Sequence, residues 1–399
     1  MRAVPVSEGI TWVGAVDWSL RDFHGYETPR GTTYNAYVVR GSDKTALVDT
    51  VKLAFVPELL SRLAEVVPPA AVDLIVVNHV EPDHNSGLRE VMDACPNARV
   101  VASRAGVTGV AEHHDGLGVE AVGPGEVVDL GGRTLRFMPV PMVHWPDSMF
   151  TYCPEVRTLM PNDAFGQHVA SAERFADEVG LDLALAELGV YYANILMPLG
   201  KQVASAVEKV GEAGWELDVV APSHGVIWRG EAVGRAAEAY GRWTAGTLRG
   251  KVVVAFSTMW GSTDVMARAV ADGAAEAGAE VTLHDLAASR IADVTYELLE
   301  APVLALGSPT LHHGMLYRVA GYLRYLAGLE PPGRAAGVFG SYGWGGGACK
   351  EMKGRLEEIG FDMPFEALTL KYRPTAEDVR RCREWGRELG REAKARAGA

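Results

Sequence analysis

The most constraining feature of this sequence is a group of four potential metal ligands that directly follows an apolar, β-branched run at 72–77. That run predicts a buried strand, and the ligand types after it are His79, Glu81, Asp83 and His84. In an extended backbone alternate side chains share a face, so His79, Glu81 and Asp83 would point the same way. His84 then turns in from the start of the next element. We therefore expect the four side chains to bind metal at the end of one strand.

The ligand types indicate which metal is bound. Imidazole suits zinc, iron, copper and nickel, whereas carboxylates favour harder ions. A site with several carboxylates and His, and without Cys, favours iron or manganese over structural zinc. Zinc hydrolases of the metallo-β-lactamase type have a similar run with His at the position that Glu81 holds here. The carboxylate adds negative charge, which stabilises a more highly charged, redox-active ion.

Length and charge bound the class of protein. At 399 residues and 48% apolar content, the chain is expected to form two or three domains with sizeable cores. The net charge of −13 argues against a nucleic-acid-binding surface, which would need basic patches. We therefore expect no nucleic-acid partner.

The cysteines and the apolar segments indicate the cellular compartment of the protein. The four cysteines form no Cys-x-x-Cys pair and no disulfide-dense pattern, and scattered reduced thiols suit a reducing cytoplasm. The first residues lack the apolar core of a signal peptide. No unbroken apolar run reaches the roughly 18 residues of a membrane span. We expect a cytoplasmic protein without a membrane partner; its cysteines are Cys95, Cys153, Cys349 and Cys382.

The first part of the chain is rich in short strands. Asn85 or Ser86 is expected to cap a helix that begins near Gly87. Strands followed by helices, twice over, predict a two-sheet sandwich covered by helices. The predicted strands are 32–39, 45–49, 99–103, 134–140, 149–153 and 156–160, with a turn at 41–43, and the predicted helices lie near 55–66, 87–94, 171–188 and 201–213.

Three further ligand-type residues follow predicted strands in the same way. His144, Asp163 and His224 each come just after an apolar strand. Loops at one rim of a sheet scaffold are a common place to build a site. Together with the first four, these residues supply seven ligands, enough for two metals with Asp163 bridging.

The pattern changes after a plausible linker at 241–250. Strands are predicted near 251–256, 279–284, 302–307, 335–340 and 365–371, alternating with helices near 263–277, 315–328, 347–359 and 376–395. This alternation predicts a five-stranded, doubly wound α/β domain. Thr375 and Asp378, behind Pro374, form the capping signature of the last helix.

Three loops at the carboxyl ends of these strands, 257–263, 307–314 and 340–347, predict a phosphate-bearing ligand. The first loop, 257–263, has four hydroxyls and a Gly and opens a helix, where backbone N–H groups and the helix dipole favour a phosphate. No Lys follows the Gly, which excludes a nucleoside-triphosphate P-loop. The loop resembles the phosphate loop of flavodoxins, which holds FMN. Trp260, Tyr342 and Trp344 are candidates to pack on or beside the isoalloxazine ring. The expected contacts are Ser257, Thr258, Met259, Trp260, Gly261, Ser262, Thr263, Ser308, Pro309, Thr310, Ser341, Tyr342, Gly343, Trp344, Gly345 and Gly346.

Over essentially its whole length the chain resembles the flavodiiron proteins, also called A-type flavoproteins. The seven ligand-type residues match the family's metal pattern in type and order, as do the segments 17–18, 21–26 and 31–35. The resemblance implies a metallo-β-lactamase-like αββα sandwich at 1–248 that holds two irons. It also implies a flavodoxin-like, doubly wound, five-stranded parallel sheet at 249–399 that holds FMN.

The resemblance further implies roles for single residues. One iron takes His79, Glu81 and His144. The other takes Asp83, His84 and His224, and Asp163 bridges the two. His24 and Tyr191 would lie near the open face as outer donors.

The implied activity is the reduction of oxygen to water, of nitric oxide to nitrous oxide, or both. The chain ends soon after the last predicted helix and has no Cys-x-x-Cys pair, so no rubredoxin is expected to be fused to it. Electrons would arrive from a separate rubredoxin-type donor. A head-to-tail homodimer, or a dimer of dimers, would place the FMN of one subunit against the irons of its partner.

Two other functions stay open at this point. The chain could be a hydrolase of the metallo-β-lactamase class fused to a flavodoxin domain, against which Glu81 argues. It could also be a non-catalytic electron carrier or gas sensor, against which the complete ligand set argues. Rapid reoxidation of the reduced protein by gas would separate the reductase from both.

Overall fold

A computed structural model describes residues 2–398. The chain divides into two compact units. The first contains the residues up to Tyr191 together with Leu199–Gly241, and the second contains Tyr192–Pro198 and the residues from Arg242 onward.

The first unit is built on two sheets, as the strand pattern predicts. The first sheet has seven strands, and its four strands from Thr45–Val48 outward run parallel. The second sheet has six strands and is antiparallel except for one pair. In spatial order the first sheet is Val4–Ser7, Ile10–Trp12, Tyr37–Arg40, Thr45–Val48, Leu74–Val77, Arg99–Ala102 and Glu120–Ala121; the second is Val127–Asp129, Thr134–Pro139, Met149–Cys153, Thr158–Met160, Val219–Val220 and Trp228–Arg229.

Alternation of side chains divides the core of this unit into two layers. Ile10, Val39 and Val76 of the first sheet pack with Phe137 and Met149 of the second, so the layer lies between the sheets. The opposite face of the first sheet packs against helices. The helices of the unit are Val56–Val66, Pro82–Asn85, Leu88–Ala94, Arg104–His113, Ala176–Val179, Leu181–Tyr191, Gly200–Glu212 and Glu231–Thr244, and two small ribbons pair Ala15–Asp17 with Thr32–Tyr34 and Asp22–Phe23 with Tyr26–Glu27.

The second unit confirms the predicted doubly wound domain. Its five strands are all parallel, and the first strand in the chain lies second in the sheet, which is the flavodoxin-like order. Helices cover both faces of the sheet. In spatial order the strands are Glu280–Asp285, Lys251–Phe256, Val303–Gly307, Ala335–Tyr342 and Leu368–Lys371, and the helices are Ser262–Glu276, Ile291–Leu298, Tyr317–Leu329, Ala348–Ile359 and Ala376–Ala397. The predicted capping box of the last helix is present.

The predicted strand 32–39 is wrong in one respect that matters for the site. The segment breaks into two strands at Asn35, whose backbone N–H donates to Ser223 O at 2.7 Å instead of to a neighbouring strand. The Asn35 side chain donates to Pro222 O at 2.8 Å and accepts from Trp12 Nε1 at 2.7 Å. These hydrogen bonds of Asn35 therefore fix the loop at 222–223, which leads into His224.

The expectation of an extended backbone through 79–83 is also wrong. Pro82 begins a short helix, Pro82–Asn85, since proline suits the first helical position. Gly87, not Asn85 or Ser86, caps the next helix, and Ser86 Oγ instead accepts from Leu53 N at 3.0 Å. Asp83 and His84 thus reach the site from a helical turn.

Other differences concern element boundaries. The predicted helix 171–188 is two helices that are separated at Gly180, where φ is +101°. The helix Glu231–Thr244 runs into the predicted linker. The sequence pattern does not predict the helices Arg104–His113, Glu231–Thr244 and Ile291–Leu298.

One helical stretch, Leu181–Glu212, is long and apolar enough to cross a membrane by length and composition alone. Half of its most apolar window is buried inside the protein, and core helices of soluble proteins meet the same criteria. All four cysteines are buried free thiols.

Candidate functional site

The seven ligand-type side chains of the first unit come together in two groups. In each group every residue offers one imidazole nitrogen or carboxylate oxygen, and these atoms lie within 4.8 Å of one another. These are the same two sets that the family resemblance implies, with Asp163 joined to the first. The first group is His79, Glu81, His144 and Asp163, and the second is Asp83, His84 and His224.

Asp163 lies between the groups. Its Oδ2 is 3.2 Å from His144 Nε2 and 3.5 Å from His79 Nε2. Its Oδ1 is 3.1 Å from His84 Nε2 and 3.5 Å from His224 Nε2. One buried carboxylate therefore faces four imidazoles, which is the geometry that a bridging ligand needs.

The loops that carry these ligands are tied together beneath the site. Asp49, which is 3% exposed, accepts from Asn78 N at 2.8 Å and from Asn162 Nδ2 at 3.3 Å. Asn78 directly precedes His79, and Asn162 directly precedes Asp163. Asp49 thus fixes the spacing between two ligands that lie far apart in sequence. No motif in the sequence marked it.

One side of the site is more accessible to solvent than the others. His79, Asp163 and His224 are fully buried, whereas the side chains of Glu81 and His144 are 15% and 10% exposed. His24 lies on that side, and its Nε2–H donates to Glu81 Oε1 at 3.2 Å. Small molecules would reach the site there.

The ionisable side chains of the cluster shift one another's pKa values. Burial would raise the pKa of Asp163, but the charge of His84 and a hydrogen bond from His144 hold it well below its usual range. Burial would lower the pKa of His79, yet hydrogen bonds to Asp147 and Glu81 and the charge of Asp163 raise it to about 10. Without a metal, His79 would therefore be protonated and Asp163 ionised, and a bound cation would replace the imidazole proton.

The donor set fits metal ions. Both oxygens of Asp83, which is 4% exposed, and Nε2 of His224 lack a hydrogen-bond partner among residues 2–398. The two side chains approach to 3.1 Å without the geometry of a hydrogen bond. Buried polar atoms without partners cost free energy. A bound cation would satisfy them.

Two residues near the site were not identified from the sequence. Asp147 Oδ2 accepts from His79 Nδ1 at 2.9 Å, and its position three residues after His144 was the available signal. His168, 4% exposed, contacts Thr32 Oγ1 through Nδ1 at 2.8 Å and packs 5.0 Å from the His224 ring. Tyr191, predicted as an outer donor, is buried 5.1 Å from the His168 ring.

The second unit holds a cavity of about 620 Å³ at the three predicted loops. That volume suits a cofactor-sized ligand. Ser262, the first residue of the helix Ser262–Glu276, lies in its wall, and Thr258 Oγ1 accepts from Gly261 N at 3.1 Å. Helix N–H groups and hydroxyls therefore face the space where a phosphate would bind.

Most of the predicted contacts line this cavity. Trp260 and Trp344, 90% and 93% exposed, stand at its edge. Eleven predicted residues line it: Thr258, Met259, Trp260, Ser262, Pro309, Thr310, Ser341, Tyr342, Gly343, Trp344 and Gly345. Ser308 and Gly346 line an adjoining cavity of about 380 Å³, and Ser257, Gly261 and Thr263 line neither. Leu311, His312 and His313 also line the cavity and belong to a predicted loop, although they are not among the expected contacts, and Tyr372 and Arg373 reach it from outside the three predicted loops.

Comparison with known proteins agrees with this architecture. The ODP family beta lactamase model matches residues 32–225, and the Flavodoxin model matches residues 254–386. A nitric oxide reductase of Moorella thermoacetica is 44% identical over 97% of this chain and 98% of its own length. A rubredoxin-oxygen oxidoreductase of Megalodesulfovibrio gigas is 37% identical over the full length of both chains. The crystal structure of the flavodiiron protein from Giardia intestinalis superposes with a TM-score of 0.95 at 34% identity, covering 100% of this chain and 98% of that one.

The chain belongs to the flavodiiron protein family. Both of its matched regions and its full-length relatives agree with the two folds described above. The fold class predicted from the sequence is confirmed.

Gly225 provides a test of how tightly a flavodiiron site depends on its loops. Its φ is +76°, and a Cβ would lie 2.2 Å from the backbone O of Gln167. Gly225→Ala should cost about 1–3 kcal/mol of strain and displace the adjacent His224. We expect a lower unfolding free energy and a lower iron content in purified protein.

Gly234→Ala is the matched control for that variant. Gly234 lies in the helix Glu231–Thr244, and no atom would lie within 4 Å of its Cβ. This change should leave iron content unaltered. Equal iron in the two variants would contradict the role of Gly225.

Proposed function

We propose that this protein reduces oxygen, nitric oxide or both at a pair of irons, with electrons that pass through FMN from a rubredoxin-type donor. The observation that carries the proposal is the pair of ligand groups around Asp163, each with two imidazoles and a carboxylate. The proposed iron ligands are His79, Glu81, Asp83, His84, His144, Asp163 and His224. The full-length relatives named as nitric oxide reductase and rubredoxin-oxygen oxidoreductase support the proposal.

The cofactors would supply the electrons, and the surrounding side chains would hold protons and exclude water. When bound, two ferrous ions and reduced FMN hold four electrons, enough to reduce oxygen to two waters, and two electrons convert two nitric oxides to nitrous oxide and water. His24 would hold a proton at Nε2 beside Glu81, on the more accessible side. Tyr191 keeps its phenolic proton, since burial and then the charge of Asp163 raise its pKa well above the usual range. The buried aromatic and imidazole rings around Asp163 would exclude bulk water.

The hydrolase alternative is not favoured. Glu81 stands where zinc hydrolases of this fold have His, and two relatives that span nearly the whole chain are named as a nitric oxide reductase and a rubredoxin-oxygen oxidoreductase. The third alternative, a non-catalytic electron carrier or gas sensor, is disfavoured by the complete set of seven ligands and by full-length relatives that are named as a nitric oxide reductase and a rubredoxin-oxygen oxidoreductase.

The proposal assigns the diiron domain to residues 1–248 and the FMN domain to residues 249–399. It places the protein in the cytoplasm, where reduced thiols persist, and without nucleic-acid or membrane partners. It also includes a head-to-tail homodimer, alone or as a dimer of dimers, in which the FMN of one subunit serves the irons of the other. The exposed Trp260 and Trp344 at the cavity edge support such an interface.

The iron proposal predicts the effect of removing the bridging carboxylate. Protein from iron-replete cells should contain two irons per chain and little zinc by elemental analysis. Asp163→Ala should lose the pair, because one carboxylate serves both ions, and should keep its FMN. Asp93→Ala, an exposed position in the same unit, should keep both irons. One zinc and no iron in the unmodified protein would refute the proposal.

The flavin proposal predicts a separable effect in the second unit. Thr258→Val and Ser262→Ala, both at residues that line the cavity, should together weaken FMN binding at least about tenfold, because a hydrogen bond to a charged group contributes about 1.5–3 kcal/mol. Fluorescence titration of flavin-free protein measures this affinity, and iron content should not change. Thr282→Val, in the edge strand Glu280–Asp285, is the control. FAD, or no flavin, in the purified protein would contradict the assignment.

The dimer proposal predicts complementation between two inactive variants. One variant lacks iron ligands, and the other cannot bind FMN. If electrons cross between subunits, an equal mixture should recover about a quarter of full activity, since half of the dimers are mixed and each has one working route. No recovery, although mixed dimers form, would place transfer within one chain.

A further inference from the structure

The two ligand groups offer the same donor types to a metal. Each contains two imidazoles that face the centre through Nε2 and one carboxylate of its own, and Asp163 lies between them. Donor type therefore gives no reason for one metal to bind more tightly than the other. Any difference in metal affinity must come from the groups that hydrogen-bond to the ligand side chains on the side away from the metal.

In the first group, the buried carboxylate of Asp147 contacts the His79 ring on the side away from the metal site. His79 Nδ1–H donates to Asp147 Oδ2 at 2.9 Å, and the same oxygen accepts from Val80 N at 2.8 Å. Asp147 is 5% exposed, and its backbone O accepts from Ser103 Oγ at 2.7 Å. Its position is thus fixed from two sides, which orients the His79 ring.

Among residues 2–398, neither imidazole of the second group hydrogen-bonds to a carboxylate through Nδ1. His224 Nδ1–H donates to the backbone O of Thr33 at 2.7 Å. His84 Nδ1 is buried and lacks a hydrogen-bond partner among residues 2–398. Among residues 2–398, His224 thus hydrogen-bonds to a neutral carbonyl and His84 Nδ1 has no hydrogen-bond acceptor, whereas His79 hydrogen-bonds to a carboxylate.

We propose that Asp147 is a positioning residue whose hydrogen bond with His79 makes the His79–Glu81–His144 group the tighter of the two metal sites. A carboxylate behind a metal-bound imidazole fixes its tautomer and raises its basicity as a ligand. Loss of such a partner typically lowers metal affinity 10–100-fold. The inference rests on the proposed function, because it assumes that both groups bind iron.

The test measures Fe²⁺ affinity in two single-site backgrounds. His84→Asn leaves the first group intact, and His144→Asn leaves the second. Asp147→Asn is then added to each, because the amide oxygen can accept the same two hydrogen bonds without the charge. Anaerobic competition with a chelator should show a loss of about 10–100-fold in the first background and less than about twofold in the second.

Asp93→Asn is the control, since Asp93 is an exposed carboxylate in the same unit. It should not discriminate between the two backgrounds. Equal losses from Asp147→Asn in both backgrounds, or no loss in either, would overturn the inference while leaving the diiron proposal intact. Absence of iron binding by the unmodified protein would instead refute the proposed function.

A second measurement needs no variant. Metal-free protein that receives one equivalent of ⁵⁷Fe²⁺ per chain should show one predominant Mössbauer environment, because the tighter site fills first. Two environments in equal amounts would overturn the inference even if Asp147→Asn fails to fold.

Discussion

The first unit depends on one buried carboxylate surrounded by imidazoles. Asp163 is fully buried and lies within 3.5 Å of four imidazole nitrogens. A carboxylate taken out of water is costly unless positive charge and hydrogen bonds compensate it. The imidazoles supply this compensation, and Ser223 Oγ adds a hydrogen bond at 2.9 Å. Loops from both sheets must therefore converge on Asp163.

The backbone around this carboxylate is held in unfavourable conformations. Asn162 and Phe165 have φ of +54° and +66°, a region that non-glycine residues rarely adopt. Such residues cost about 1–3 kcal/mol each and persist where the surroundings hold them. The surroundings here are specific: Tyr240 OH accepts from Phe165 N at 2.6 Å, and Trp228 Nε1 donates to Phe165 O at 2.8 Å. Packing in the sandwich thus maintains the turn that aims Asp163.

How much the sequence reveals depends on how local each feature is. Strand periodicity and the ligands that follow each strand are local, so the two folds and the seven clustered side chains are predictable. Asp147 and Asp49 act through contacts with residues distant in sequence, at His79 and Asn162. Only the position of Asp147 three residues after His144 gives a local signal, and no motif marks Asp49. Asn35 breaks its strand because Ser223 competes for its N–H, which is again a tertiary effect. Arg373 reaches the cofactor cavity from a fourth loop, which composition did not distinguish.

The most direct test of this account follows flavin absorbance after anaerobically reduced protein is mixed with each gas. The comparison is between iron-loaded protein and protein from the same preparation whose iron has been removed by a chelator and whose FMN is retained. The account predicts rapid reoxidation of the loaded protein by oxygen, nitric oxide or both, without accumulation of hydrogen peroxide from oxygen, and slow reoxidation of the iron-free protein. Equal rates in the two samples with both gases would contradict it.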